Sequence, residues 1–400
     1  MSKKKIKLRK KTRLLFVFLL VGVLAVLSYD YFIFGNKSSD QGVVKAAFRK
    51  VVKRAEDYEA KVFMVGDSLI HSSVYQDARL DDGNYDFKPM LSAIKPISSK
   101  YDLAYFNQET ILGGKELGLS NYPRFNSPTE VGDAFLDAGF NLVSLATNHT
   151  MDKGEQGVIN SVHYWKTKKD LIAYSGQWIS NEEREAEISQ IYVKNGIKYA
   201  FISYTIWNNG LSTPYGKDYL SNEYSPEKAV HDIGLVRDKC DFVIVAMHWG
   251  TEYSFRVDAD QEKIANYLSS LGVDLIIGAH PHVIQTVEYI NNNKTFVVYS
   301  LGNFISDQND VDNFTGLAFE VTLHKHIDVD GKTTNTIEKP KGELVYTTTV
   351  KRGGVNHNFK VVPYPQLTDS QLPNHASYYE RYKAIVNERF PNLTWGLTWE

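Results

Sequence analysis

Five short apolar runs, spread over more than two hundred residues, each stop at a side chain able to bind a metal or move a proton. The run at 61–65 leads into Gly66 and Asp67, that at 103–106 into Asn107 and Glu109, and that at 141–145 into Asn148 and His149. The runs at 241–247 and 274–277 lead into His248 and Glu252, and into His280 and His282. Runs of this length without apolar–polar alternation suit strands buried on both faces. In such sheets ligands gather where the carboxyl ends of the strands open into a crevice. The pattern therefore predicts one polar site assembled from five places.

Two carboxylates, a carboxamide and several imidazoles make a donor set for a divalent transition metal, because imidazole suits Zn, Mn or Fe and carboxylate suits the harder ions. Singly, each residue has an ordinary structural use; Gly66-Asp67, for instance, reads equally as a turn. The repeated strand-end placement is what makes the set informative.

The same residues carry a resemblance. Gly66-Asp67, Asn107-x-Glu109, Ala146-Thr147-Asn148-His149-x-x-Asp152-x-Gly154, His248-Trp249-Gly250-x-Glu252-Tyr253, Gly278-Ala279-His280-Pro281-His282 and Tyr299-Ser300-Leu301-Gly302-Asn303-Phe304 occur in the order seen in the CapA family. That family comprises poly-γ-glutamate capsule biosynthesis proteins, with a domain that looks like a calcineurin-type metallophosphatase. The resemblance covers roughly residues 60–310. It implies an α/β fold, a four-layer α/β/β/α metallophosphatase-like sandwich. It also implies Asp67, Glu109, Asn148, His248, His280 and His282 as ligands of one or two divalent ions (Mn, Zn or Fe). On the resemblance His149 is a catalytic candidate at the substrate; Glu252, outside the usual ligand set, is the second, as a base or as the partner that fixes a ligand imidazole, and Arg124, Asp152 and Asn303 are the expected substrate contacts.

Two departures from the wider metallophosphatase pattern bear on chemistry. Its opening Asp-x-His becomes Asp67-x-Leu69, with His71 the nearest imidazole. Where its second motif supplies a bridging Asp, Asn107 and Glu109 stand instead. A two-metal phosphoesterase clamps both reacting oxygens with ions about 3.5–4 Å apart and needs that bridge. One well-occupied metal position is the expectation.

The amino terminus sets the location. Residues 1–13 hold eight Lys or Arg and no acid. Residues 14–29 are uncharged but span only about 24 Å as a helix, and extension to residue 34 reaches about 31 Å, a bilayer core, at the cost of including Asp30 near one end. No Ala-x-Ala site and no Cys follows, so the segment reads as an uncleaved anchor at 14–34 and not a signal peptide. The basic flank keeps 1–13 cytoplasmic and places the remainder outside, single-pass, at the cell membrane.

Setting aside those eight basic residues leaves 37 Lys and Arg against 47 Asp and Glu, a formal net charge of −10 from Leu14 onward. That sign excludes nucleic acid as a partner. The lone Cys240 excludes an intrachain disulfide.

A linker and a helix over 44–58 occupy 35–59; the helix either docks on the domain or packs against a membrane partner. The CapA-type domain is expected at 60–365. Ser127-Pro128-Thr129-Glu130 and Ser225-Pro226 read as helix starts, and Asp152-Lys153-Gly154-Glu155 fits a capping box as well as a substrate contact. Strand-like runs at 316–323, 342–351 and 358–362 suggest a second sheet packed on the first. Residues 366–400 form a tail with a helix at 376–389.

Three functions fit. The leading one is a membrane-anchored protein of capsule or envelope polymer synthesis or export, with an anionic cell-surface polymer and membrane-bound synthase subunits as partners. The others are a metal-dependent hydrolase of a phosphoester or of the polymer, and a polymer-binding scaffold without catalysis.

Overall fold

The computed structural model describes residues 54–308 and 310–397. The expected anchor, linker and most of the 44–58 helix lie outside them. Among the described residues no helix is long and apolar enough to cross a membrane. The end of the 44–58 helix is corrected: Glu56, Asp57 and Tyr58 already belong to a strand, because Ile327, His326 and Lys325 take up their side of a β-ladder.

Along the chain the strands are β1 (Glu56–Ser68), β2 (Leu103–Asn107), β3 (Leu142–Ser144), β4 (Ala173–Ser175), β5 (Tyr192–Lys194), β6 (Ile197–Thr205), β7 (Phe242–His248), β8 (Leu275–Ala279), β9 (Val287–Ile290), β10 (Thr295–Val298), β11 (Asn303–Ile305), β12 (Thr315–Ile327), β13 (Thr333–Arg352), β14 (Val355–Pro363) and β15 (Thr394–Trp395). They form two mixed sheets. One runs β14-β13-β12-β1-β2-β3-β4, with β11 beside β1 and β15 beside β13; the other runs β5-β6-β7-β8-β10-β9. β1 to β4 are mutually parallel, as are β6, β7, β8 and β10.

The five apolar runs therefore divide between two sheets. β2, β7 and β8 are buried at every position, and alternate side chains enter different cores. Ala60, Val62, Met64, Tyr105, Ile244, Ala246 and Ile277 share the core between the sheets. There the Tyr105 and Phe201 rings lie 6.1 Å apart, and those of Phe296 and Phe319 5.6 Å apart. Outward residues meet helices. Phe106 stacks on Phe135 of α1 (Glu130–Asp137) at 4.1 Å and lies 6.2 Å from Trp165 of α2 (Gly154–Lys166). On the other sheet Tyr204 donates to Asp232 of α3 (Pro226–Val236) at 2.9 Å. Apolar burial of this extent is the main stabilising term.

The runs at 316–323, 342–351 and 358–362 do form strands, as β12, β13 and β14, but they make no second sheet. β12 pairs antiparallel with β1 and extends the first. With β2 to β4 all on its other side, β1 would otherwise present an open edge. The second sheet is built from β5 to β10 instead.

Helix starts follow the sequence unevenly. Ser225 caps α3 by accepting from the Lys228 amide. Ser127 caps nothing: its hydroxyl donates to Thr110 at 2.8 Å, and α1 begins at Glu130 without a side-chain cap. The expected C-terminal helix forms as His375–Val386. It is packed on the sandwich, with Tyr382 wholly buried and the Val386 carbonyl accepting from Thr286 at 2.9 Å.

Candidate metal centre

The carboxyl ends of β1, β2, β3, β7 and β8 converge. Gly66 makes the first bend possible: a Cβ there would stand 1.8 Å from the Gly302 carbonyl oxygen. That closeness lets the Asp67 amide donate to Gly302 at 3.0 Å and aligns Asp67 with Asn303 of β11. Asn107, opposite on β2, donates from Nδ2 to Asp67 Oδ1 at 2.8 Å and lies 3.3 Å from His248 Nδ1. After β8 the chain holds His280 at φ 98° and His282 at φ 59°. Left-handed backbone in a side-chain-bearing residue costs on the order of 1–3 kcal/mol and persists where the surroundings impose it.

All six proposed ligands meet here. Asn148 Oδ1 is 2.9 Å from His248 Nε2, which is 3.1 Å from His280 Nδ1. Glu109 Oε1 lies 3.8 Å from His248 Nε2 and 3.7 Å from His282 Nε2, and Asp67 Oδ2 is 3.5 Å from His282 Nδ1. Each of the six residues is at most 3% exposed. Three groups offer donor atoms within 4.8 Å of one another: Asp67, Glu109 and His282; Glu109, His248 and His280; and Glu252, His280 and His282. Glu109 belongs to two of them. His280 and His282 also belong to two each.

The electrostatics show a cluster short of positive charge. Burial raises the Glu109 carboxyl well above the ordinary range, and Asp67 adds to this while His282 opposes it. Burial holds His248 well below the usual imidazole range, and pushes His280 down to about 3 with help from His282. Burial also works downward on His282, but Glu109 and Asp67 outweigh it and lift that ring to about 9. Both Glu109 oxygens are buried without a hydrogen-bond partner, an arrangement that costs folding energy unless something fills it. His248 and His280, held neutral, and the unpartnered Glu109 oxygens are what a divalent ion takes up, and the carboxylates that lift His282 would hold a cation in place of its proton, so the cluster fits a metal. An N/O set of this kind suits Zn, Mn or Fe.

His149 stands beside the ligands. Its Nδ1 donates to Asp152 Oδ2 at 2.7 Å, and the same oxygen accepts from the Phe125 amide at 2.6 Å. The capping reading of Asp152 is overturned, since Lys153 precedes α2 without a side-chain cap bond. Its Oδ2 is committed to holding the His149 ring through Nδ1. Asn303 stands beside the ligand imidazole His282. Its buried amide lies 3.0 Å from His282 Nδ1 through Oδ1 and donates to Ser306, Gln308 and the Asn313 carbonyl. Such partners orient ligand imidazoles.

A cleft of about 1060 Å³ opens over the cluster, and His149, Glu252 and Arg124 line it. Glu252 and Arg124 are exposed, and neither forms an ion pair among the described residues. His71 also lines the cleft, held down to about 4 by burial, but joins none of the ligand groups. Tyr122, Trp207 and Tyr253 also stand at the cleft wall, and of these only Tyr253 falls in a sequence motif. Trp207 and Tyr122 sit in loops without periodicity; Tyr253 alone had a signal, next to Glu252.

The chain belongs to the family of bacterial capsule synthesis proteins, PGA_cap, whose model matches residues 61–308. It is 27% identical over 271 residues to the capsule biosynthesis protein CapA of Bacillus anthracis, covering 64% of this chain and 62% of that protein. It is 30% identical over 180 residues to the PGA biosynthesis protein CapA of Bacillus subtilis strain 168, covering 43% and 44%. The chain thus spans less than two thirds of either relative. Among solved structures, a novel phosphatase of Mycoplasma pneumoniae aligns at 17% identity and a TM-score of 0.43, covering 72% of this chain and 94% of that one.

Proposed function

We propose that this protein works at the outer face of the cell membrane in the synthesis or export of a capsule or envelope polymer, as a metal-dependent hydrolase of a phosphoester. Family membership supports the capsule-related role. The anchor at 14–34, the extracellular domain and membrane-bound synthase subunits as neighbours are part of this reading. The observation that carries the chemistry is Glu109, buried with both oxygens unpartnered between His248 and His282.

Asp67, Glu109, Asn148, His248, His280 and His282 would hold the ion or ions. When bound, a divalent ion stabilises negative charge developing on a phosphoryl oxygen. As the imidazolium, with Nδ1–H held by Asp152, His149 gives its Nε2 proton to the leaving oxygen as the bond to phosphorus breaks and is left neutral. Glu252 accepts a proton from the attacking water, and Arg124 holds an outer anionic oxygen at the rim. Turnover of p-nitrophenyl phosphate and its bis ester, by full-length protein in detergent supplied with Mn, Zn or Fe, tests this. His149→Asn should lower kcat by roughly 10²–10⁴-fold with metal content unchanged. No turnover of either ester by metal-loaded wild type would leave the protein a binding scaffold.

A further inference from the structure

The walls of the cleft differ in chemistry from its floor. Tyr122, Trp207 and Tyr253 are 75%, 46% and 55% exposed, although large rings are ordinarily buried. They come from three separate loops, and each reaches the site through a ring contact. Trp207 meets His280 edge-on with centroids 6.3 Å apart, the Tyr253 ring lies 5.9 Å from His282, and Tyr122 lies 6.4 Å from Phe125, which is 4.7 Å from His149. Between them the walls carry exposed Glu252 and Asp310, while Arg124 is the one Lys or Arg that lines the cleft among the described residues.

A polyanion with a charge on every unit is poorly matched to these walls, since one cation faces several carboxylates. A sugar ring is well matched. Its C–H faces stack on aromatic rings, and its hydroxyls donate to carboxylates and exchange hydrogen bonds with amides such as Asn121 and Gln308. We infer that the cleft takes a neutral sugar unit bearing a single anionic group, the anion toward the metal cluster and Arg124 and the ring against Trp207, Tyr253 and Tyr122. This rests on the metal reading above for the anionic end only.

Two probes that cannot be hydrolysed separate the ends: methylphosphonate, and the C-phosphonate analogue of glucose 1-phosphate. Calorimetric titration of the full chain in detergent, loaded with Mn, should find the sugar phosphonate bound about tenfold tighter than methylphosphonate. Trp207→Ala and Tyr253→Ala should each reduce that ratio several-fold. A ratio near one in wild type, a ratio unmoved in the Trp207→Ala, Tyr253→Ala double variant, or a tetramer of γ-linked glutamate binding tighter than both probes would each overturn the inference. The metal reading fails separately, if EDTA leaves methylphosphonate binding intact or methylphosphonate does not bind at all. In that last case, sugar phosphonate binding that is lost in Trp207→Ala still supports the stacking wall, and its absence overturns it.

Discussion

Histidines meet carboxylates in two parts of this molecule, with opposite outcomes. On the face of the first sheet, His324 of β12 bonds Glu338 and Asp57, each at 2.9 Å, and His326 bonds Asp57 at 2.8 Å. Every one of these groups is partnered, and their side chains are 21–57% exposed. At the strand ends the same residue types are buried, and Glu109 has no hydrogen-bond partner. Among the described residues the ladder gathers no metal-ligand group and the strand ends gather three. Composition does not separate a solvated ion-pair ladder from a ligand cage. Burial and unspent lone pairs do.

The largest expected effect comes from breaking the scaffold that holds the cage. Gly66→Ala sets a methyl group 1.8 Å from the Gly302 oxygen, so soluble yield should collapse or Tm fall by 10 °C or more, about several kcal/mol in a chain of this size. Gly331, in the turn beyond the ladder, has open space around it. Alanine there meets only the left-handed backbone and should cost about 1 kcal/mol.

A middle-sized effect sharpens the contrast in satisfaction. Glu109→Gln removes a buried, unpartnered carboxylate, so the chelated protein should gain about 2–6 °C in Tm. The further rise that Mn or Zn gives wild type should vanish in the variant. A chelated variant less stable than chelated wild type would mean that Glu109 is structurally satisfied after all.

The smallest effect is at the ladder. Burial is the largest single influence on His324 and lowers it, but its bonds to Glu338 and Asp57 together outweigh that, and the ring is raised above its ordinary value. A raised folded value means stability present below the unfolded pKa of about 6.5 and lost as pH climbs through the folded value. His324→Gln should therefore lower Tm by about 1–2 °C at pH 6, less at pH 9, and less again at high salt. A larger loss at pH 9 would reverse the sign and contradict this account.

The site was legible because its ligands follow apolar runs that end on one side of parallel sheets, and that convergence is a property of the architecture more than of any one residue. The partition of the runs was hidden. That β7 and β8 pair with each other, and β12 with β1, depends on contacts far apart in sequence. Local patterns misled where a distant partner competed: Ser127 fits a cap, yet Thr110 takes its hydroxyl, and Asp152 fits a cap, yet His149 and Phe125 take its carboxylate. The bond from Asn303 to His282 has no local signal either, since the two lie 21 residues apart. That Glu109 lies between His248 and His282 required the three-dimensional distances to both.

The central claim is that the buried strand-end cluster, and not the exposed ladder, is built to hold a metal. Elemental analysis of full-length protein purified without chelators compares wild type, the His280→Ala, His282→Ala pair and the His324→Ala, His326→Ala pair. The account predicts about one or more divalent transition-metal ions per wild-type chain, retained in the ladder variant and lost from the strand-end variant. No metal in wild type, or equal metal in the two variants, would contradict it.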